Sequence, residues 1–177
     1  MTHRIDFPGL LFAVNLDGRG GAVEISPAQL QQELQRDSLT WVHLDHTAPG
    51  VDRWLREVAG LDEVVVDALT FDESRPRCAP HGDGVILILR GVNLNPGQDR
   101  EDMVSIRIWL DRHGVISMRQ RQLKSPGQVQ ELLLAGHGPT NQGELIVTLT
   151  NLMCDYIADV VNSLEDAMDE LEDTVLT

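Results

Sequence analysis

The sequence predicts an α/β fold of the α+β kind, in which a mixed β-sheet with hairpins is flanked by helices and followed by a long C-terminal stalk helix. Two observations predict it. Up to residue 140, short apolar runs alternate with glycine-containing turns and short amphipathic segments. From Gly143 onward a helical repeat continues with no further Gly or Pro. We therefore expect an α/β domain at 1–140 and the start of a stalk helix at 141–177.

Turn residues divide the first half of the domain into three strands and three helices. Ser26 is expected to begin the first helix, because its hydroxyl can cap free backbone N–H groups and Pro27 already has the φ of a first helical turn. The expected strands cover 10–16, 22–25 and 40–45, and the expected helices cover 26–36, 51–58 and 62–70.

The second half of the domain shows two consecutive hairpin patterns. Extended runs between residues 75 and 95 flank a turn at 81–84, and the runs 103–110 and 115–119 flank a turn at 111–114. Ser125 and Pro126 are then expected to cap a helix that continues to about Ala135, and the Gly and Pro residues at 136–139 end it.

Apolar residues in the last part of the chain recur in steps of three and four, which predicts one helix of more than thirty residues. No glycine, basic last turn or other stop signal ends this pattern, so we expect the sequence to be part of a longer protein. The repeating residues are Ile146, Leu149, Met153, Tyr156, Val160, Leu164, Ala167 and Leu171.

The charge of the chain argues against several classes of partner. With 28 acidic and 14 basic residues the formal net charge is −14, which repels nucleic-acid phosphates and anionic lipids. Aromatic residues make up only 4%, so few rings can stack on bases. The longest apolar run, 85–89, is far shorter than the roughly 20 residues that a membrane helix needs. Two distant cysteines and no secretion signal indicate a cytoplasmic location.

The acidic charge is concentrated near the C-terminus, because residues 125–177 contain ten acidic residues and no Lys or Arg. Carboxylates four apart on a helix repel each other, so packing, bound cations or a basic partner must compensate. The patch is therefore a solvated face of a packed helix, a surface that recruits divalent cations, or a docking site for a basic protein. The candidate cation ligands are Asp155, Asp159, Glu165, Asp166, Asp169 and Asp173.

Two short His and Cys motifs are weaker metal candidates. His43 and His46 are three apart on a predicted strand, so their rings are expected to point to opposite faces. Cys78 and His81 lie at a predicted hairpin turn, where both could bend toward one ion. Two further ligands are not evident, so a buried thiol and a surface histidine are expected instead. Cys154 is expected to be a small core residue of the long helix.

Neither the basic residues nor any catalytic motif predicts a further functional site. Arg75, Arg77, Arg119, Arg121 and Lys124 lie at strand ends, where pairing with the acidic surface is expected. The sequence contains no phosphate-binding loop, nucleophile elbow, HExxH or Cys–His couple in a suitable context, which predicts that the chain is not an enzyme and holds no organic cofactor.

Five segments in order resemble the cytoplasmic portion of the CorA superfamily of divalent-cation transporters, most of all its zinc-transporting ZntB branch. The resemblance covers nearly the whole chain. The segments are WVHLD at 41–45, ESRPRCAPHGDGVILILRGVN at 73–93, ISMRQRQL at 116–123, GPT at 138–140 and LED at 171–173.

This resemblance implies a homopentamer at the cytoplasmic face of the inner membrane, with two membrane helices and a Gly-Met-Asn pore signature C-terminal to this sequence. Zinc is the expected transported ion, with magnesium or cobalt as alternatives. Five acidic helices would then form a funnel that concentrates cations below the pore. The competing hypotheses are a soluble acidic oligomerisation or protein-interaction domain without a transport role, and a metal-dependent hydrolase with convergent carboxylates.

Overall fold

The computed structural model describes residues 7, 9–36, 38–71, 75–100 and 102–175. Within these residues seven strands form one sheet, and five helices accompany it. The strands are β1 (Leu10–Leu16), β2 (Ala22–Glu24), β3 (Thr40–Asp45), β4 (Arg77–His81), β5 (Gly84–Gly91), β6 (Val104–Asp111) and β7 (Gly114–Arg119). The helices are α1 (Pro27–Glu33), α2 (Val51–Glu57), α3 (Glu63–Thr70), α4 (Lys124–Leu134) and α5 (Gln142–Val175).

The sheet is mixed, as the sequence predicts. Its strand order is β2-β1-β3-β7-β6-β5-β4, and every neighbouring pair is antiparallel except the central pair β3 and β7, which is parallel. The two expected hairpins are present as β4–β5 and β6–β7. The expected long helix is present as the 34 residues of α5, so the predicted fold class is confirmed.

Helices cover the sheet on both sides, and the strand period of two sorts side chains between them. We name the side with α1, α2 and α3 the front face; Val42 and Met118 pack there against Leu55 and Leu69. We name the side with α4 and α5 the back face; Trp41 packs in its core, whose helical members are Val129, Leu133, Leu145, Leu149 and Met153. The central strands are therefore buried on both faces.

The close approach of β3 and β7 depends on a glycine. Gly114 is the first residue of β7 and pairs with Thr40 of β3. A Cβ at Gly114 would lie 2.0 Å from the Thr40 carbonyl oxygen. Any residue with a side chain would therefore force the backbone of one of the two strands to move. Glycine is thus required here by distance between strands, not by an unusual φ.

Hydrogen bonds among three buried side chains join the two central strands on the back face. The Trp41 indole N–H donates to the Ser117 hydroxyl at 2.9 Å, and the same hydroxyl lies 2.8 Å from Nδ1 of His43. Because the Trp41 indole can only donate, the Ser117 hydroxyl accepts from it, and the same hydroxyl lies 3.5 Å from the Val42 carbonyl oxygen, to which it can donate. Burial lowers the pKa of His43 to about 3, since the charged imidazolium would lose its hydration there.

Helix beginnings differ from the sequence expectation in detail. The Ser26 hydroxyl donates to the Gln29 side chain instead of capping a backbone N–H, although Pro27 does begin α1. α4 begins one residue before Ser125, so that Ser125 lies buried within the first turn and does not cap it. α1 ends at Glu33, three residues earlier than expected, because the chain tightens into a turn whose Gln35 N–H donates to Gln32.

α5 packs on the domain only through its first half. Gln142 ties the start of the helix to the β6–β7 turn through bonds of 3.3 Å to the carbonyl oxygens of Asp111 and Arg112. The Lys124 ammonium lies 5.9 Å from the centre of the Tyr156 ring, which joins the start of α4 to the middle of α5. From residue 161 to 175 every position is exposed, so the second half of α5 has no packing on the domain.

We predict that Gly114→Ala lowers the free energy of unfolding by about 2–3 kcal/mol or more, because the added methyl group separates β3 from β7. Gly127→Ala is the matched control. Nothing lies within 4 Å of a Cβ at Gly127, which is inside α4, so alanine there is expected to stabilise by about 0.5–1 kcal/mol. Urea unfolding followed by circular dichroism measures both, and equal effects would contradict the assignment.

We also predict a loss of stability in mild acid that depends on His43. The folded pKa of about 3 lies below the ordinary value of 6.5, so the unfolded state binds the extra proton between these values and stability falls as the pH falls below about 6.5. At about 1.4 kcal/mol per pH unit, the protein is expected to lose about 2 kcal/mol between pH 7.5 and pH 5.

His43→Gln provides the comparison, because glutamine keeps a polar group but cannot titrate. Urea unfolding at a series of pH values measures the free energy of unfolding. Between pH 7.5 and pH 5 it should fall in this variant by less than half as much as in the unchanged protein. The same pH slope in both proteins would show that other groups cause it.

Candidate metal-binding surface

All six predicted cation ligands lie on α5, and all are exposed. At 3.6 residues per turn, five of them fall on one side of the helix, which we name the acidic face. Glu165 lies to one side of it. The members of the acidic face are Asp155, Asp159, Asp166, Asp169 and Asp173.

An apolar stripe runs along the opposite side of the second half of α5. Its residues are spaced by three and four, as in one seam of a coiled coil, and their exposed fractions lie between 45% and 82%. Helical geometry places this stripe about half a turn from the acidic face. The stripe consists of Val161, Leu164, Met168, Leu171 and Val175.

The carboxylates of the acidic face form a line instead of a cluster. With a rise of about 1.5 Å per residue, positions four apart are separated by about 6 Å along the helix axis. Within the described residues, no group of three or more His, Cys, Asp or Glu side chains has the geometry to hold a metal ion. This arrangement favours loose attraction of hydrated cations by oxygen ligands over a closed tetrahedral zinc site.

The two histidines of the β3 region point to opposite faces, as expected. His43 faces the back of the sheet and contacts Ser117. Nε2 of His46 lies 2.8 Å from the carbonyl oxygen of Thr70, at the end of α3 on the front face. The two rings therefore share no site.

Cys78 is not the buried thiol that the sequence predicts. It is exposed on β4, which is one of the two edge strands of the sheet. Because Cys78 and His81 both lie within this strand and are three residues apart, they point to opposite faces and cannot share an ion. Nε2 of His81 lies 2.7 Å from the Asp62 carboxylate. The pKa of Asp62 lies below its ordinary value. The main cause is the hydrogen bond that its carboxylate accepts from the Val65 backbone N–H, and the contact with His81 adds to it.

Cys154 is also exposed, so its expected place in the core is wrong. The side of α5 that faces the sheet carries Leu145, Leu149 and Met153. Cys154 follows Met153 by one residue, which turns its side chain by about 100° away from that side. Leu149 and Met153 belong to the predicted apolar repeat and are buried, Cys154 does not belong to it, and the later members Leu164 and Leu171 are exposed.

Of the basic residues near the strand ends, Arg121 has an acidic partner, as predicted, and Lys124 has an aromatic one. Arg121 approaches Asp102 at 3.4 Å, and Lys124 lies over Tyr156. Arg107 of β6 is a buried guanidinium that the strand pattern does not single out; its Nη2 donates to the Phe71 carbonyl oxygen at 2.9 Å. The alternation along β6 gives no signal for it, because Val104 to Trp109 are buried on both faces of the sheet.

Within the part of the chain that the structure describes, no helix combines the length and the apolar character that crossing a membrane requires. α5 is long enough at 34 residues, but its second half carries most of the acidic residues of the chain's C-terminal part.

Comparison with known proteins gives consistent relatives. Residues 36–177 match the family described as CorA-like Mg2+ transporter protein. The chain is 37% identical over 172 residues to the divalent cation transporter CmaX of Pseudomonas aeruginosa, covering 96% of this chain and 52% of that protein. It is 34% identical over 166 residues to the zinc transport protein ZntB of Yersinia enterocolitica, covering 94% and 50%. The chain thus spans about half the length of these relatives.

Solved structures show the same fold. The structure of full-length CmaX superposes with a TM-score of 0.88 at 37% identity, covering 94% of this chain and 52% of that one. The ZntB cytoplasmic domain from Vibrio parahaemolyticus superposes with a TM-score of 0.80 at 24% identity, covering 92% and 64%. The family match extends over most of the sequence, and the fold agrees with it. The chain therefore belongs to the family of CorA-like Mg2+ transporter proteins.

Proposed function

We propose that this chain is the cytoplasmic domain of a divalent-cation transporter and that α5 presents an acidic surface beside the path of the ion. Membership of the CorA-like family supports the transport role. The observation that supports the role of α5 is the acidic face itself, because it lies on a helix whose second half leaves the domain and carries no basic residue.

Electrostatics supports attraction of cations without fixed coordination. Within the pair Asp155 and Asp159, and within the group Asp166, Asp169 and Asp173, neighbouring carboxylates are three or four positions apart, or about 5–6 Å along the axis, which is less than the Debye length of about 8 Å at physiological salt. Their fields therefore overlap within each of these two groups. Such a surface raises the local concentration of cations and speeds their capture.

We propose zinc as the transported ion, with magnesium and cobalt as the alternatives. The ZntB relatives support zinc, and the description of the family supports magnesium. Carboxylate oxygens suit magnesium, and they accept zinc as well, although zinc prefers nitrogen and sulfur ligands in closed sites. The acidic face is thus proposed to gather divalent cations, while selection occurs elsewhere in the transporter.

A homopentamer with acidic helices arranged as a funnel is the proposed assembly. The apolar stripe supports association of α5 with another helix, since five large side chains stay exposed along one seam. The same stripe also fits the second candidate, an oligomerisation domain without a transport role. The two candidates differ in one respect: only the transporter needs the acidic face for its activity.

Neutralising the acidic face is expected to slow transport. In the complete transporter reconstituted in vesicles, Asp166→Asn, Asp169→Asn and Asp173→Asn together should reduce initial zinc uptake severalfold at low ionic strength. Because salt screens exposed charges, the difference should shrink at about 0.5 M salt.

The control neutralises three exposed acids away from α5, Asp83, Asp99 and Glu131, and so changes the net charge equally. Uptake in this control should stay near that of the unchanged transporter. An equal reduction in both triple variants, or none in either, would contradict a special role of the acidic face.

Disrupting the apolar stripe is expected to weaken assembly. Leu164→Ser, Met168→Ser and Leu171→Ser replace three of the five residues of the apolar stripe and leave every charge in place. The mass of the transporter in detergent, measured by light scattering, should fall below that of a pentamer. Val147→Ser alters an apolar residue that is 58% exposed on α5 outside the stripe and should leave the mass unchanged. A full pentamer in the triple variant would show that the stripe does not hold the subunits together.

A further inference from the structure

A half-open cleft of about 200 Å³ lies at one end of the sheet. Its lining residues fall between positions 90 and 121, so none of them belongs to the acidic face. Its polar lining comes from three neighbouring strands and the residues that flank them. Arg90 belongs to β5, Ser105 to β6, and Gln120 and Arg121 follow β7. Asp102, which precedes β6, stands at the same cleft.

Three of these side chains form a row across the sheet. Arg90 pairs with Ser105 in the β5–β6 ladder, and the β6–β7 ladder continued by one step brings Gln120 beside Ser105. Alternate residues of a strand share a face, so Ser105 lies on the front face with Trp109. Neighbouring strands are about 4.8 Å apart, which places a guanidinium, a hydroxyl and an amide next to one another.

The described residues that line the cleft carry more positive than negative charge, in contrast to the chain as a whole. Among the described residues that line it, Arg90 and Arg121 stand against one carboxylate, Asp102. Arg121 approaches Asp102 only at 3.4 Å, with both side chains about half exposed or more. Among the described residues, no carboxylate forms an ion pair with Arg90. The positive charge of Arg90 is therefore available to a ligand.

The donor set suits an oxyanion. The planar guanidinium group of arginine can donate two parallel hydrogen bonds to two oxygens of one phosphate or carboxylate group. The Ser105 hydroxyl and the Gln120 amide add neutral donors along the row. A single water needs only about 10–15 Å³ of such space, so a cleft of about 200 Å³ has room for a larger polar ligand with its waters.

We propose that this cleft is a binding site for a tetrahedral oxyanion of the phosphate class, held by Arg90 and Arg121 with help from Ser105 and Gln120. Asp102 competes with the ligand for Arg121, so anion binding displaces its carboxylate from the arginine. The site is separate from the transported cation, and its ligand is either free phosphate or the phosphoryl group of a larger molecule such as a nucleoside diphosphate.

Calorimetric titration of this chain with inorganic phosphate and with ADP, each at constant ionic strength with chloride as the replaced anion, tests the proposal. One site per chain is expected. Tighter binding of ADP than of phosphate would identify a phosphoryl group on a larger molecule, and equal or weaker binding of ADP would identify free phosphate. Arg90→Gln should weaken binding about tenfold or more, because it removes a charged donor.

Two further variants separate a built site from general charge effects. Arg112→Gln removes one positive charge in the exposed β6–β7 turn, outside the cleft, and should leave the affinity unchanged. Asp102→Asn removes the competing carboxylate and should strengthen binding about threefold. Circular dichroism confirms that each variant is folded. The absence of saturable binding of either anion, or an equal loss in Arg90→Gln and Arg112→Gln, would overturn the proposal.

Discussion

The parallel pairing of β3 with β7 is the constraint on which the rest of this structure depends. Both strands lie in the middle of the sheet and are buried on both sides, so each face must be covered by helices. The ladder itself requires Gly114 against Thr40, and the polar contact of Trp41, Ser117 and His43 joins the two strands on the back face. Antiparallel hairpins then extend the sheet outward to β4, whose exposed edge carries Cys78.

The need to cover the back face also explains how α5 can serve two purposes. Its first half is fixed by Leu145, Leu149 and Met153 in the core, and Gln142 ties its start to the β6–β7 turn. The direction of the second half follows from this packing, because an α-helix is stiff over this length. The domain therefore presents the acidic face and the apolar stripe as two opposite surfaces of one helix. Under the proposed function, the first attracts cations and the second holds the subunits together.

Much of the fold could be predicted from the sequence because its signals are local. Glycine turns and hairpin patterns place the strands, and the apolar repeat identifies α5 as one helix. The order of the strands could not be predicted, since the pairing of β3 with β7 joins segments about 75 residues apart. The exposure of Cys78 and Cys154 depends on which side of an element is covered, and Arg107 is buried by a contact with the end of α3. The acidic residues were predicted as a group, whereas their linear arrangement required the helix geometry.

Paramagnetic broadening by Mn²⁺ in NMR spectra of the ¹⁵N-labelled chain tests most directly whether the acidic face attracts divalent cations. At low salt, the backbone amides of α5 near Asp166, Asp169 and Asp173 should broaden first and over a graded range, while amides of the central strands stay sharp. Excess zinc or magnesium should reverse the effect. Broadening confined to one cluster inside the domain, or none at concentrations that saturate a weak surface site, would contradict the account.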